Sequence, residues 1–435
     1  MSDTIFALAT PSGRGAIAVM RMSGPATGDV LRALGVARIA PRQASLRTLL
    51  HRGRILDQAL VLHFPAPKSY TGEDCAELHL HGGRAVVEGV VEALTAIGVR
   101  PAEPGEFTRR AFEHGRMDLA QAEAVADLVD AETAAQATQA LGQLGGALSQ
   151  TYALFRQSLL RALAFVEAEI DFPDEDIPDQ LARSAGPVLE ALANDLRAAL
   201  SDAARGRRVR DGYRIVLIGE TNAGKSTLFN ALVARDAAIV TPIAGTTRDV
   251  LDAELVIGGY AVTLSDTAGL RDSLDPIEAE GVRRARMRAL DADLRVWVLA
   301  PGDLESAAAE FVQPTDLVIQ SKADLGNAVS PPGLETIGVS ASDGTGVEEV
   351  REWIAARLAR DLSGSDFPAV TRERHRRRLA EALVSVEAGS AALAHAPEMA
   401  ADDLRRAAEA LARVTGAIGV EDVLGEVFSN FCIGK

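Results

Sequence analysis

Cysteine is nearly missing from this chain: 435 residues hold two, Cys75 and Cys432. A disulfide framework is excluded, and with no secretory signal at its start the chain is expected in a reducing cytoplasm. Aromatic residues are scarce as well, 4% of a chain that is 47% hydrophobic. Cores must then be built by alanine- and leucine-rich helices. No apolar run approaches the ~20 residues that cross a bilayer as a helix, so no membrane association is expected. Cations are outnumbered, 45 Lys and Arg against 61 Asp and Glu, a net charge of −16. That argues against a general nucleic-acid coat, which needs a basic field, and leaves room only for local basic patches. The length predicts about two to four domains.

What is present is concentrated in short motifs. Gly219-Glu220-Thr221-Asn222-Ala223-Gly224-Lys225-Ser226 follows the strand-like run Arg214 to Ile218 and precedes a helix-forming run from Thr227 to Val233. Its spacing is G-x-x-x-x-G-K-[S/T]. Glycines let the backbone turn tightly, so that several N–H groups converge on one concavity and hold phosphate oxygens. Lys225 reaches the β and γ phosphates, and the Ser226 hydroxyl is placed for Mg²⁺. Asp266-Thr267-Ala268-Gly269 ends a second apolar strand, Tyr260 to Ser265. There the Asp holds Mg²⁺ through water and the Gly N–H meets the γ-phosphate. Between them lies Gly245-Thr246-Thr247-Arg248-Asp249, where a threonine hydroxyl, assigned to Thr247, completes the Mg²⁺ shell only while the γ-phosphate is present.

Two further elements select the base. The strand Leu317 to Gln320 runs into Ser321-Lys322-Ala323-Asp324. Asp324 accepts two hydrogen bonds from the guanine N1–H and amine, a donor pair that adenine lacks. Ser340-Ala341-Ser342 closes the series after Ile337-Gly338-Val339. These five elements, each at a strand end, resemble the GTPase domain of the translation-factor-related class. That class has Asn where this chain has Ser321; a hydroxyl is shorter and offers fewer hydrogen-bonding positions, so weaker GTP affinity is expected with guanine choice kept. The residue after Gly269 is Leu270, where many regulatory GTPases carry a Gln that orients water. Hydrolysis must be arranged otherwise.

Around this unit the pattern changes. The GTPase segment, 211–362, follows a basic stretch Arg205 to Arg210 that is expected to be a linker. Alanine-rich helical sequence flanks it at 119–210 and 363–435, which predicts one discontinuous helical domain whose ends are close in space. Pro173 and Pro178 break two helices within the acidic stretch Asp171 to Asp179, which is most simply a solvated loop. Residues 1–118 alternate strand-like runs (Ile5 to Ala9, Ala16 to Met20, Ala59 to Phe64, Ala76 to Leu80) with helical stretches, an α+β pattern.

Three more segments make the match specific: Asp3-Thr4-Ile5-Phe6-Ala7-Leu8-Ala9-Thr10-Pro11 with Arg21-Met22-Ser23-Gly24, then Ser69-Tyr70-Thr71-Gly72-Glu73-Asp74 with His81-Gly82-Gly83 and Pro104-Gly105-Glu106-Phe107-Thr108, and last Phe431-Cys432-Ile433-Gly434-Lys435. With the phosphate loop they resemble the tRNA-modification GTPases of the MnmE (TrmE) family along the whole chain. The resemblance implies an α/β GTPase domain of the P-loop type, with a mostly parallel sheet, inserted in an all-α helical domain and preceded by an α+β folate-binding-like N-terminal domain. It implies a homodimer that works with an FAD-dependent partner of the MnmG type to place an aminomethyl or carboxymethylaminomethyl group at C5 of the wobble uridine of certain tRNAs. It implies a formyl-tetrahydrofolate-type cofactor held by Arg21, Glu77, Arg116 and Lys435; the family has Lys at the third of these, and a planar guanidinium is not its equivalent at a tight site. It assigns GTP contacts to Asn222, Ala223, Gly224, Lys225, Ser226 and Thr227, to Thr241, Pro242, Ile243, Ala244, Gly245, Thr246 and Thr247, to Asp266 through Gly269, to Ser321 through Asp324, and to Ser340, Ala341 and Ser342. K⁺ is expected on Asn222, Thr241, Ile243 and Thr246 when two GTPase domains meet, where a cation does the work of an arginine finger, on the order of 10³–10⁵ in rate. Glu278 is the family's catalytic acid and orients the attacking water through a second water.

Other features carry plainer readings. His79 and His81 share a strand face, but no Cys/His cluster has zinc spacing, so a structural or folate-side role is favoured. Cys432 is either a nucleophile or a small residue packed by the folate. The run Arg372, Arg374, His375, Arg376, Arg377, Arg378 is a solvated helix face or a phosphate contact. A ribosome-associated GTPase switch would share the five nucleotide elements but needs neither the folate-like N-terminus nor the terminal Cys-Ile-Gly-Lys. A second alternative is a folate-dependent aminomethyl transferase using GTP as ballast, and tRNA nucleoside analysis after gene loss separates all three.

Overall fold

The computed structural model describes residues 3–171, 181–236, 251–266, 287–301, 313–325, 336–340, 343–364, 367–417, 427–428, 431 and 434. Two compact units form, one from Met1–Ala126, Gln143–Leu189 and Val384–Lys435, the other from Asp127–Gly142 and Glu190–Leu383.

In the first unit, β1 (Ile5–Leu8), β2 (Ile17–Ser23), β3 (Ser45–His51), β4 (Arg54–Phe64), β5 (Cys75–His81) and β6 (Arg100–Pro101) make one sheet in the order β3-β4-β5-β2-β1-β6. All neighbours are antiparallel except β1 and β6. Alternate residues point to opposite faces. Ala18, Met20 and Met22 of β2 and Ala76, Leu78 and Leu80 of β5 are buried beneath the helices Thr27–Ala33 and Arg84–Ile97, which add Val30, Leu31, Val90 and Leu94. The other face presents Arg21 opposite Glu77 and, one pair along, His79 opposite Leu60, itself opposite Leu46. Helix Glu106–Glu113 covers its β1 end, where Phe107 packs with Ile5, Ala7 and Tyr70. Ile17, Leu46 and Leu60 on this face are exposed.

Long helices complete the unit. Helix Ala147–Asp171 buries Leu148, Tyr152, Phe155, Leu159, Ala162 and Val166, and helix Pro397–Thr415 buries Ala400, Leu404, Ala407, Leu411 and Val414. Both sets recur at three- and four-residue intervals, one stripe per helix, and the two helices pack together. Small alanines let their backbones approach, which is how a chain poor in aromatics fills this core. The last described residues return to the sheet: Phe428 and Phe431 pack on Leu119 and Ala122, and a Cβ at Gly434 would lie 2.3 Å from the Leu8 carbonyl oxygen.

The second unit holds β7 (Tyr213–Ile218), β8 (Leu251–Ile257), β9 (Tyr260–Asp266), β10 (Leu294–Leu299), β11 (Leu317–Ser321) and β12 (Thr336–Val339), in the order β12-β11-β10-β7-β9-β8. Every pairing is parallel except β8 with β9. Parallel strands are covered on both sides. Ile215 and Leu217 face helix residues Leu228, Ile354 and Leu358, while Val216 and Ile218 face a second cluster with Trp297, Leu299 and Val318. Helix Val347–Leu362 supplies Val347, Val350, Ile354, Leu358 and Leu362, again a single stripe.

The stretch Arg205 to Arg210 is no linker. It lies in helix Ala203–Asp211, because its arginines have partners: Arg208 Nε donates to Asp293 at 2.7 Å and Arg210 Nε to Asp127 at 3.2 Å. Gly206 is buried so closely that a Cβ would meet the Val370 carbonyl oxygen at 2.1 Å. Strands β3, β8 and β10 are not among the expected strands: β3 and β10 lack clean alternation, whereas β8 has it, with Ala253, Leu255 and Ile257 buried at every second position.

One buried ion cluster ties helix Glu106–Glu113 to the sheet. Arg110, 7% exposed, donates to Glu73 at 3.0 Å, Glu106 at 2.9 Å and Asp3 at 2.8 Å. Arg100 pairs with Asp3 and Glu106 as well. The hydrogen bond from Arg100 holds the Asp3 carboxyl down at about 2. Burial raises Glu106, but hydrogen bonds from Arg100, the Glu103 N–H and Arg110 outweigh it and keep its carboxyl below the ordinary value. Removing Arg110 leaves the buried Glu73 carboxylate without its guanidinium, while Arg100 still pairs with Asp3 and Glu106; an unpaired buried charge costs about 3–5 kcal/mol. Arg110→Met is therefore expected to lose that much stability at neutral pH in chemical unfolding. Depressed carboxyls contribute above their ordinary range near pH 4 and lose that contribution as pH falls toward 2, so the gap to the unaltered chain narrows over that window. A loss below about 1 kcal/mol, or a gap constant with pH, contradicts this.

Candidate functional site

The carboxyl ends of β7, β9 and β11 converge on one loop, where an open parallel sheet binds its ligands. The loop 219–224 leaves β7 and enters helix Lys225–Asp236. Sterics shape it. A Cβ at Gly219 would sit 2.2 Å from the Val298 carbonyl oxygen of β10, and Gly224 has φ +102°, with a Cβ there 3.2 Å from Ser321 Cβ. Asn222, exposed at the loop's apex, takes φ 65°.

Lys225 is buried, and its Nζ donates to the Gly219 and Glu220 carbonyls at 3.1 and 2.8 Å. An ammonium has three donors, so one remains for an anion. Burial pushes the Lys225 ammonium below its ordinary value, partly offset by the Asp266 carboxylate. Ser226 Oγ donates to Asp266 Oδ2 at 2.6 Å. The other oxygen, Oδ1, is buried without a hydrogen-bond partner among the described residues. A buried carboxylate oxygen left bare beside a serine hydroxyl fits a cation or an ordered water.

From below, Ser321 Oγ reaches the Ala223 carbonyl, with Leu299 O 3.2 Å away. Lys322 Nζ donates to Asn222 O at 3.0 Å. The hydroxyl, despite its shorter arm, therefore bridges β11 to the phosphate loop. Asp324 is exposed in the short 3₁₀ turn Ala323–Leu325, and Ser340 N donates to Thr345 O at 3.0 Å. The sheet thus brings together Asn222 to Thr227, Asp266, Ser321 to Asp324 and Ser340. Thr241, Pro242, Ile243, Ala244, Gly245, Thr246, Thr247, Thr267, Ala268, Gly269, Glu278, Ala341, Ser342, Cys432 and Lys435 lie outside the described residues.

In the first unit, Arg21 Nε and Nη2 both donate to Glu77 Oε1, at 3.1 and 3.0 Å. The guanidinium stands 5.4 Å from the Tyr70 ring centroid and 5.9 Å from that of Phe107, and Tyr70 Oη is 2.7 Å from Thr108 Oγ1. Burial pushes the Tyr70 hydroxyl's pKa up. Arg116 lies by the turn at Gly72, where a Cβ would be 3.4 Å from its Cγ. Tyr70 and Phe107 lie inside the motifs Ser69 to Asp74 and Pro104 to Thr108, and in a chain so short of aromatics an aromatic inside a motif is the signal that points to them. His79 Nε2 lies 3.3 Å from Glu77 Oε2, and His81 Nδ1 2.7 Å from Asp57 Oδ1. In the arginine run, Arg372 pairs with Asp127, Arg376 with Glu373 and Arg378 with Glu381, while His375 is buried. Among the described residues no helix is long and apolar enough to cross a membrane.

A glycine-rich loop between a parallel strand and a helix, with a buried lysine and a serine–aspartate pair, defines a P-loop α/β protein. Family models extend this beyond one domain: one described as the GTP-binding protein TrmE N-terminus matches residues 4–116, and one described as the MnmE helical domain matches 119–432. A relative from Caulobacter vibrioides, called tRNA modification GTPase MnmE, is 54% identical across 100% of both chains. A relative of the same name from Phenylobacterium zucineum is 53% identical, again across 100% of both. The chain belongs to the MnmE family of tRNA modification GTPases. Among solved structures, the G domain of the T. maritima FeoB iron transporter is 23% identical, with a TM-score of 0.27, covering 34% of this chain and 98% of that one; so slight a likeness adds nothing to the assignment.

Proposed function

We propose that this chain hydrolyses GTP in the course of modifying tRNA, and that with an FAD-dependent partner of the MnmG type it installs an aminomethyl or carboxymethylaminomethyl group at C5 of the wobble uridine. The observation that carries the reading is the Lys225, Ser226 and Asp266 constellation at the carboxyl ends of β7 and β9. Lys225 and the loop N–H groups bind the phosphates; Ser226 and Thr247, with Asp266 behind them, hold Mg²⁺. When bound, that ion neutralises charge on the β and γ phosphates. Asp324 reads guanine. Thr241 to Thr247, Thr267 to Gly269 and Ser340 to Ser342 complete the nucleotide contacts, and Glu278 orients water. Asn222, with Thr241, Ile243 and Thr246, holds K⁺ where two GTPase domains face each other.

The N-terminal unit holds a reduced folate of the formyl-tetrahydrofolate type. Arg21, Arg116 and Lys435 suit its anionic tail, and Glu77 keeps lone pairs to accept from the pterin ring. Supporting this, Gly434 lies against β1, whose Ala7 is paired in register with Arg21. The exposed Ile17, Leu46 and Leu60 support a homodimer through this sheet face.

Two outcomes test the reading. Ser321→Ala removes the bridge to Ala223, worth about 1 kcal/mol, so labelled GDP should bind roughly fivefold more weakly, and Ser321→Asn modestly tighter than the unaltered chain. Unchanged affinity in Ser321→Ala removes this residue from the site. Deleting the last four residues should spare GTP hydrolysis, weaken binding of 5-formyl-tetrahydrofolate in calorimetry, and leave wobble uridines unmodified when tRNA nucleosides from complemented deletion cells are weighed by mass spectrometry. Normal modification by the truncated chain would overturn the role of Lys435.

A further inference from the structure

Two arginine-rich segments far apart in the sequence line one cavity in the second unit. Helix Ala203–Asp211 contributes Arg207, and the start of helix Glu373–Ala392 contributes Arg376, with Val370, Arg372 and Glu373 around an open space of about 200 Å³. Gly206 makes the meeting possible, since any side chain there would strike the Val370 carbonyl.

Most neighbouring arginines are committed to acids: Arg205 to Asp202, Arg208 to Asp293, Arg210 and Arg372 to Asp127, Arg378 to Glu381. Arg207 and Arg377 differ. Both are exposed, and neither has a carboxylate partner among the described residues. They share a single glutamate with Arg376: Glu373 is hydrogen-bonded by Arg376 Nε at 2.8 Å and also feels the charges of Arg207 and Arg377. Three guanidinium groups around one carboxylate leave an excess of two positive charges (three minus one) on a chain of net charge −16. Such a local reversal attracts an anion that the rest of the surface repels.

The geometry favours a phosphodiester. A guanidinium fork matches two phosphate oxygens at once, and the cations lie along two helices at an open surface, suited to an extended polyanion. We propose that Arg207, Arg376 and Arg377 hold backbone phosphates of the tRNA, an inference that rests on the tRNA reading above. Contacts of this kind position the RNA without reading its sequence.

The test is binding of an unmodified tRNA transcript to the full chain by fluorescence anisotropy, at several salt concentrations. Arg207→Glu with Arg377→Glu should weaken binding at least tenfold at low salt and reduce the slope of log affinity against log salt by roughly one to two. GTP hydrolysis should be unchanged. Lysine at both positions should retain most of the affinity. A matched reversal at the exposed Arg38 and Arg161 controls for net charge. Unaltered affinity and slope in the glutamate pair, or an equal loss in the matched control, overturns the site. If the unaltered chain binds no tRNA, the tRNA reading beneath it falls as well.

Discussion

The phosphate loop is held from below, and the geometry of the nucleotide site depends on that. Gly219 rests on the β10 carbonyl of Val298, Ser321 reaches the Ala223 carbonyl from β11, and Lys322 takes that of Asn222. Its carbonyls are engaged by Ser321, Lys322 and Lys225, and the Ala223 N–H closes the turn on the Glu220 carbonyl at 3.2 Å. A loop of small residues has little side-chain packing of its own, so these contacts preorganise it; without them the cost of ordering it would fall on nucleotide binding. The serine in place of the expected amide fits the same logic. It keeps the tie to the loop with a shorter arm, and Gly224 leaves the space that Ser321 occupies.

The first unit relies on a different device. Arg110 joins helix Glu106–Glu113 to Glu73 and Asp3, which sets Phe107 beside Arg21. Phe428 and Phe431 then bring the end of the chain to β1 through Gly105 and Leu119. Residues at opposite ends of the sequence thereby share one unit.

What the sequence disclosed followed chemistry rather than pattern. Lys225, Ser226, Asp266 and Ser321 were legible because phosphate binding fixes residue types at fixed offsets from strands. Helix Ala203–Asp211 was not: six residues with four arginines read as a linker until Asp293 and Asp127, distant in sequence, supplied partners. Strand β10 carries no motif and is buried on both faces, so it lacks alternation. Tyr70 and Phe107 escaped a role because their contact with Arg21 depends on folding helix Glu106–Glu113 over the sheet, a tertiary fact. The helical segments on either side of the GTPase were legible from their Ala, Leu, Glu and Gln content and the near absence of β-branched clusters, and helices Ala147–Asp171 and Pro397–Thr415 pack through such small and leucine side chains.

A rigid loop binds nucleotide but does not by itself orient water. Leu270 offers no hydrogen bond where many GTPases have Gln, whereas Asn222 stands exposed at the loop's apex with its amide free of the sheet. Under the function proposed above, hydrolysis depends on a monovalent cation beside Asn222. The direct measurement is the GTP hydrolysis rate in K⁺ against Na⁺ at equal ionic strength, for the unaltered chain and for Asn222→Ala. The account predicts a rate at least tenfold higher in K⁺ that Asn222→Ala abolishes while nucleotide binding persists. Equal rates in the two salts would contradict it.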